Sequence, residues 1–340
     1  MRVLTRRRLA AVLAALGLLL AAAAAVGLGA GPSELTPGQV LEALRGGAGT
    51  GAAADIVLRV RLPRVALAML VGASLAVAGA LFQALLRNPL ADPFVLGVSG
   101  GAALGGILAL SLGGLVGLGY GAVPPAAFAG AIATTLLLYA IAGVRGRVSA
   151  TQLLLTGVVF NAFASAAIVF LASLAGRSEG ADIFLWLIGS LSAARGDLAL
   201  WVGAFLAAGL AFALPLARGL NALVLGEESA QQLGVDVERQ KRVLLVASSL
   251  MVGAAVSVAG LIGFVGLIIP HLLRLVVGPD HRLLLPSAAL AGAAFLVLCD
   301  TAARVLLGGR ELPVGAITAL AGGPLFLWLL HRQRARVFAT

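Results

Sequence analysis

The sequence predicts an all-α polytopic membrane protein with about ten transmembrane helices and an inverted internal repeat. Three observations carry that prediction. Of 340 residues, 61% are hydrophobic and 11% charged, with a mean hydropathy of +1.07, whereas a soluble domain carries about 25% charged residues. Charge-free stretches exceed the ~20 residues that cross a bilayer core; Phe94 to Val144 holds no charged residue. The basic residues fall in short clusters between apolar runs, the pattern of membrane topology rather than of a nucleic-acid footprint. The net charge of +10 therefore implies a lipid bilayer and no nucleic acid.

The first element is the apolar run Leu9–Gly29 behind Arg6, Arg7 and Arg8. It is longer than the roughly 7–15 residues of a signal-peptide core, so it reads as a retained first span. Cutting the remaining apolar runs at polar and Gly/Pro breaks gives spans at 65–86, 94–112, 125–143, 153–175, 198–216, 243–262, 265–277, 284–306 and 314–331. Breaks fall at Gly117–Pro125 and Ala259–Gly266. Ile183–Ser192 is apolar but too short to cross, and reads as a half-helix or interfacial segment.

With the N-terminus inside, cytoplasmic segments hold 16 Lys/Arg against 7 on the other side, with Arg304 inside the ninth span. That bias puts both termini in the cytoplasm and makes 217–242 the largest cytoplasmic loop. "LVGASLAVAGALFQALLRNP" (70–89) aligns without gaps on "MVGAAVSVAGLIGFVGLIIP" (251–270), repeating Val71, Gly72, Ala73, Val77, Ala78, Gly79 and Pro89. The two copies run in opposite senses across the membrane, as inverted repeats do. The whole chain, 1–340, is one transmembrane domain, with a first repeat at 63–175 and a second at 243–331.

The clear ionisable candidates inside a span are Asp300 and Arg304. Four residues apart with the acid first, they suit an intrahelical pair, and the shortage of other buried charge argues against ion coupling. A phosphate-binding loop needs Gly-Lys-Ser/Thr after a glycine-rich turn. The only lysine, Lys241, lies in "ERQKRV", so the chain is not an ATPase; any ATP and Mg would belong to a partner. Neither a cofactor nor a metal site is expected in the chain, and the single cysteine, Cys299, reads as a small buried residue.

The polar stretch "GEESAQQLGVD" then becomes informative. Gly226 breaks the preceding segment, and Glu227 and Glu228 suit a helix N-terminus. Ala230, Leu233 and Val237 follow on one face, and Gly234 lets the chain turn. Two turns are too short to be stable alone, so the segment calls for a partner's groove; a solvated loop is the alternative.

This stretch resembles the coupling loop of the FecCD-type ABC importer permeases for iron-siderophore, haem and cobalamin. "RLPR" (61–64), "GALFQALLRNPLADPFVLGVSGGA" (79–102), "GFVGLIIPHLLRLVVGPDHRLLLP" (263–286), "CDTAARVL" (299–306) and "ELPVGAITALAGGPLFLWLL" (311–330) are similar to the family's other signatures, in family order over nearly the whole chain. The resemblance implies type II ABC importer permease architecture in the inner (cytoplasmic) membrane. It further implies a homodimer or pseudo-dimer, two ATPase subunits and an extracytoplasmic substrate-binding protein. Carried over by position, Gly226, Glu227, Glu228, Ala230, Leu233 and Gly234 dock the ATPase. Arg61, Arg64 and Arg304 take glutamates of the binding protein. Asn88 and Leu90 match a cytoplasmic gate, and Ala150 and Thr151 stand where relatives can carry paired hydroxyls in a second gate. The cargo is a large metal chelate, ferric siderophore first, haem or cobalamin next. Arg177 and Arg195 are possible contacts for its anionic groups, and His271 has a structural role. A stand-alone ion-coupled carrier and a membrane scaffold are the competing classes.

Overall fold

A computed structural model of the chain describes residues 5–337 apart from 34, 47–50, 117–119, 145–146, 175–176 and 308–310. Among these, fifteen α-helices and one two-residue hairpin form. In chain order they are α1 (Arg6–Gly29), α2 (Pro37–Leu44), α3 (Ala52–Asp55), a π-helical stretch Ile56–Arg61 that runs on into α4 (Leu62–Leu85), and α5 (Val98–Val116). A 3₁₀ turn leads into α6 (Val123–Ala142), and the hairpin pairs β1 (Gly143–Val144) with β2 (Arg147–Val148). Then come α7 (Ala150–Leu174), α8 (Arg177–Ile188), α9 (Gly196–Ala213), α10 (Ala217–Val224), α11 (Glu227–Gln232), α12 (Val237–Ala259), α13 (Val265–Val277), α14 (His281–Val305) and α15 (Val314–Val337). Seven of the described helices, with α3 and α4 taken as one, are long and apolar enough to cross a membrane, and three shorter apolar helices lie in α5, α13 and α15. Together they occupy the ten expected spans.

Two boundaries moved for local reasons. α5 starts at Val98 rather than Phe94, because Asp92 Oδ1 accepts the Phe94 N–H at 2.8 Å and Gly97 turns the chain with φ +84°. α12 starts at Val237 rather than 243, because Asp236 caps it by accepting the Arg239 N–H at 3.0 Å, letting a polar turn precede the apolar one.

The bundle is built around α4, apolar and buried on nearly every side, as expected of a helix without a polar face. It packs on α12, α13, α14 and α9, while α12 packs on α5 and α6. Thus α4 and α12, which carry the two copies of the repeated motif, touch each other, and each meets helices of the other half. Small residues permit this. A Cβ on Gly79 would overlap the backbone of Gly266, and one on Gly72 the backbone of Gly292, so α4 meets α13 and α14 backbone to backbone.

Long-range hydrogen bonds sort the helix ends into two sets. At one end, Arg8 reaches Val277 O at 2.7 Å, Asn221 reaches Asp280 at 2.9 Å and Arg87 reaches Glu227 at 3.3 Å. At the other, Arg61 reaches Leu28 O at 2.7 Å, Arg64 reaches Asp300 at 3.0 Å and Arg304 reaches Ala30 O at 3.0 Å. Hence α1, α12 and α14 run one way and α4 and α13 the other, the alternation a polytopic chain requires.

Candidate functional site

At the Glu227 end, α10 and α11 project between α9 and α12. Gly226 precedes α11 with φ +128° and Gly234 follows it with φ +80°. Both values disfavour a side chain, so glycine at each border lets the chain turn into and out of the short helix. Ala230 is fully buried, packed with Ala222, Leu223 and Val237. Leu233 does not join that face as the periodicity predicted: it ends the helix and is 68% exposed. The helix therefore has two apolar contacts in different directions, an inner one already made and an outer one open. Glu227 is held by Lys241 Nζ at 2.6 Å and by Arg87 at 3.3 Å. Neither basic partner stands out in the sequence, because one lies 140 residues away and the other is a turn inside the next helix.

In the segments expected to form gates, Asn88 Oδ1 accepts the Leu90 N–H at 3.0 Å, closing a turn around Pro89, and Leu90 is exposed. Ala150 and Thr151 open α7, whose first turn is capped by Ser149. The two segments are linked through Arg87, Glu227, Lys241 and Val148.

At the opposite end, the three arginines expected to meet a binding protein have partners within the chain. Arg61, Arg64 and Arg304 are all buried, with 3%, 6% and 4% exposure, and each has hydrogen-bond partners within the chain. Arg61 donates to the carbonyls of Leu28 and Gly29, both at 2.7 Å, and to that of Ser33 at 2.6 Å. Arg304 donates to Gly27 O at 2.9 Å and Ala30 O at 3.0 Å, and its Nε meets Asp300 at 3.1 Å. The Asp300–Arg304 pair expected from spacing is present. Arg64 joins it, with Nε on Asp300 at 3.0 Å and Nη1 on Glu311 at 2.9 Å. Main-chain carbonyls at and after the end of α1 take donors of Arg61 and Arg304, Asp300 takes Nε of Arg64 and of Arg304, and the half-exposed Glu311 takes Nη1 of Arg64. Arg59, with 82% of its side chain exposed and paired with Asp55 at 3.0 Å, and the half-exposed Glu311 are among the accessible charges there.

Arg195 pairs with its neighbour Asp197 at 2.7 Å on the surface. Arg177 opens α8, and its side chain lies outside the described residues. α8 packs against α5, with Trp186 over Gly106. His271 is buried with its ring edge-on to Phe326, centroids 6.1 Å apart.

The architecture has close counterparts. A structure described as an inward-facing conformation of a metal-chelate type ABC transporter superposes with a TM-score of 0.83 at 32% identity, covering 95% of this chain and 99% of that one. The fold and its two charged ends thus define a multi-pass membrane permease. The FecCD transport family model matches residues 18–332, and the chain belongs to that family. Among its relatives, the cobalamin import system permease protein BtuC of Halobacterium salinarum is 49% identical over 83% of this chain and 74% of its own. The hemin transport system permease protein HmuU of Yersinia pestis is 44% identical over 82% and 84%.

Proposed function

We propose that the chain is the permease subunit of an ATP-driven importer that carries a large metal chelate into the cytoplasm. The observation that carries this reading is α11: a short helix between two glycines, with acids at its N-terminus and Leu233 open to a partner. A separate ATPase, holding ATP and Mg, would grip it from the cytoplasm, and a second copy of the permease would complete the pathway. Both termini would lie on the ATPase side of the inner membrane. The sequence alone puts a ferric siderophore first as cargo, but the names of the two relatives above move cobalamin and haem ahead of it.

For the external binding protein, Arg64 is already shared with Glu311. An incoming carboxylate would reach that guanidinium by exchanging with Glu311. The ion-coupled carrier is the weaker reading, because the Asp300 carboxylate inside the bundle is held by two arginines rather than poised for a travelling ion.

The test is co-purification of the permease with its ATPase. Glu227→Arg or Leu233→Asp is expected to lose the ATPase and ATP-driven uptake while the permease still folds. Retention of both activities in both variants would remove the basis for the reading. The ligand retained by the cognate binding protein identifies the cargo.

A further inference from the structure

The coupling helix and both loops read as gates converge on the chain's single lysine. Lys241 sits at the start of the second turn of α12 and is 2% exposed. An ammonium has three protons to donate, and three acceptors receive them: Glu227 Oε2 at 2.6 Å, Val148 O at 2.9 Å and Glu238 Oε1 at 3.2 Å. Glu238 completes the arrangement, its Oε2 accepting the Val148 N–H at 2.9 Å. Both backbone polar groups of Val148 are thus held by two side chains of α12, as a neighbouring strand would hold them. The other oxygen of Glu227 takes Arg87 at 3.3 Å. Arg87 directly precedes Asn88–Pro89–Leu90 and has a left-handed backbone, φ +50°.

The charges balance, Lys241 and Arg87 against Glu227 and Glu238, and Lys241 has no spare donor. Drawing Glu227 away would leave a buried ammonium short of an acceptor, which is costly. The cluster must either travel with α11 or break and re-form. That is the discrete, physically connected element through which coupling passes between sites.

We propose that Lys241 is the positioning residue that transmits displacement of α11 to Val148, just ahead of α7, and, through Glu227 and Arg87, to the loop at 86–97. This rests on α11 being the ATPase contact. The experiment uses the permease–ATPase complex in nanodiscs with an environment-sensitive label at Thr151→Cys; the native Cys299 is buried. The readout is the fluorescence change on adding ATP and vanadate, per assembled complex.

Lys241→Gln is expected to cut that change by about five- to tenfold, an ordinary size for coupling between sites. Lys241→Arg, which keeps the charge, is expected to restore it. An assembled Lys241→Gln complex with an undiminished signal overturns the inference alone, as does Lys241→Arg behaving like Lys241→Gln. Should Lys241→Gln not assemble, Glu238→Ala, which leaves Lys241 bonded to both Glu227 and Val148 O, is expected to keep most of the signal; its loss would assign transmission to Glu238 and overturn the proposal. An unmodified permease that never binds an ATPase overturns the functional reading itself, and the inference with it.

Discussion

The two ends of the bundle use the same chemistry to opposite effect. Around Asp300, Arg64 and Arg304 share one carboxylate, Arg304 also donates to main-chain carbonyls of α1 and the residue after it, and Arg64 donates to Glu311. The Arg304 partners are fixed by the backbone, so the ends of α1, α4 and α14 are tied together. Around Glu227, the connections run side chain to side chain, from Arg87 and Lys241, between loops and a short helix bordered by glycines. Such contacts can be exchanged without unfolding a helix. Burial with backbone partners anchors; partial exposure with side-chain partners leaves room to move.

The largest test of this contrast is Asp300→Ala. It leaves Arg64 and Arg304 buried without their shared carboxylate, and removing one partner of a buried pair costs about 3–5 kcal/mol. A drop of that size in stability is expected from thermal unfolding of the purified permease. A change under about 1 kcal/mol, the ordinary value of an exposed pair, would show that this end is no anchor.

A second test concerns Asp92, in the loop after α4. Burial pushes its carboxyl up from 3.8 to about 6, against a smaller opposing effect of the Phe94 N–H. The fold therefore favours the protonated form. Its contribution to stability is complete below the unfolded value and is lost as pH rises through about 6. Unfolding followed from pH 4 to 7 is expected to show falling stability across that window, and Asp92→Asn to flatten the fall. An unchanged slope in the variant would assign the pH dependence to other groups.

The smallest effect is expected from Arg87→Ala. Its side chain is 41% exposed and that of Glu227 30%, so loss of the pair should change stability by less than about 1 kcal/mol while weakening ATP-driven uptake. A stability loss as large as that of Asp300→Ala would erase the distinction between the two ends.

What could be read from the sequence follows the range of the interactions. The spans were legible because hydropathy over one helix length is a local property, and so was the Asp300–Arg304 pair, one turn apart. α11 was legible from the glycines and acids at its borders. Arg64 was legible as a charge near a helix start but not as a partner of Asp300, 236 positions away. Lys241 counted in the sequence only as the wrong lysine for a phosphate loop, because its three acceptors come from separate segments. The internal partners of Arg61, Arg64 and Arg304 were hidden for the same reason. Carbonyls at the end of another helix carry no sequence signal, yet they decide which donors are spent.

The bare contacts of Gly79 with Gly266 and of Gly72 with Gly292 have a mechanical consequence. Gln83 Nε2 of α4 also donates across the seam to Gly266 O at 3.2 Å and Leu267 O at 3.1 Å, and Leu296 crowds the position a Cβ on Gly72 would take. With no gap to take up and hydrogen bonds crossing it, the seam resists sliding. A push delivered at one end of α4 is therefore passed along the helix rather than absorbed in the middle of the bundle.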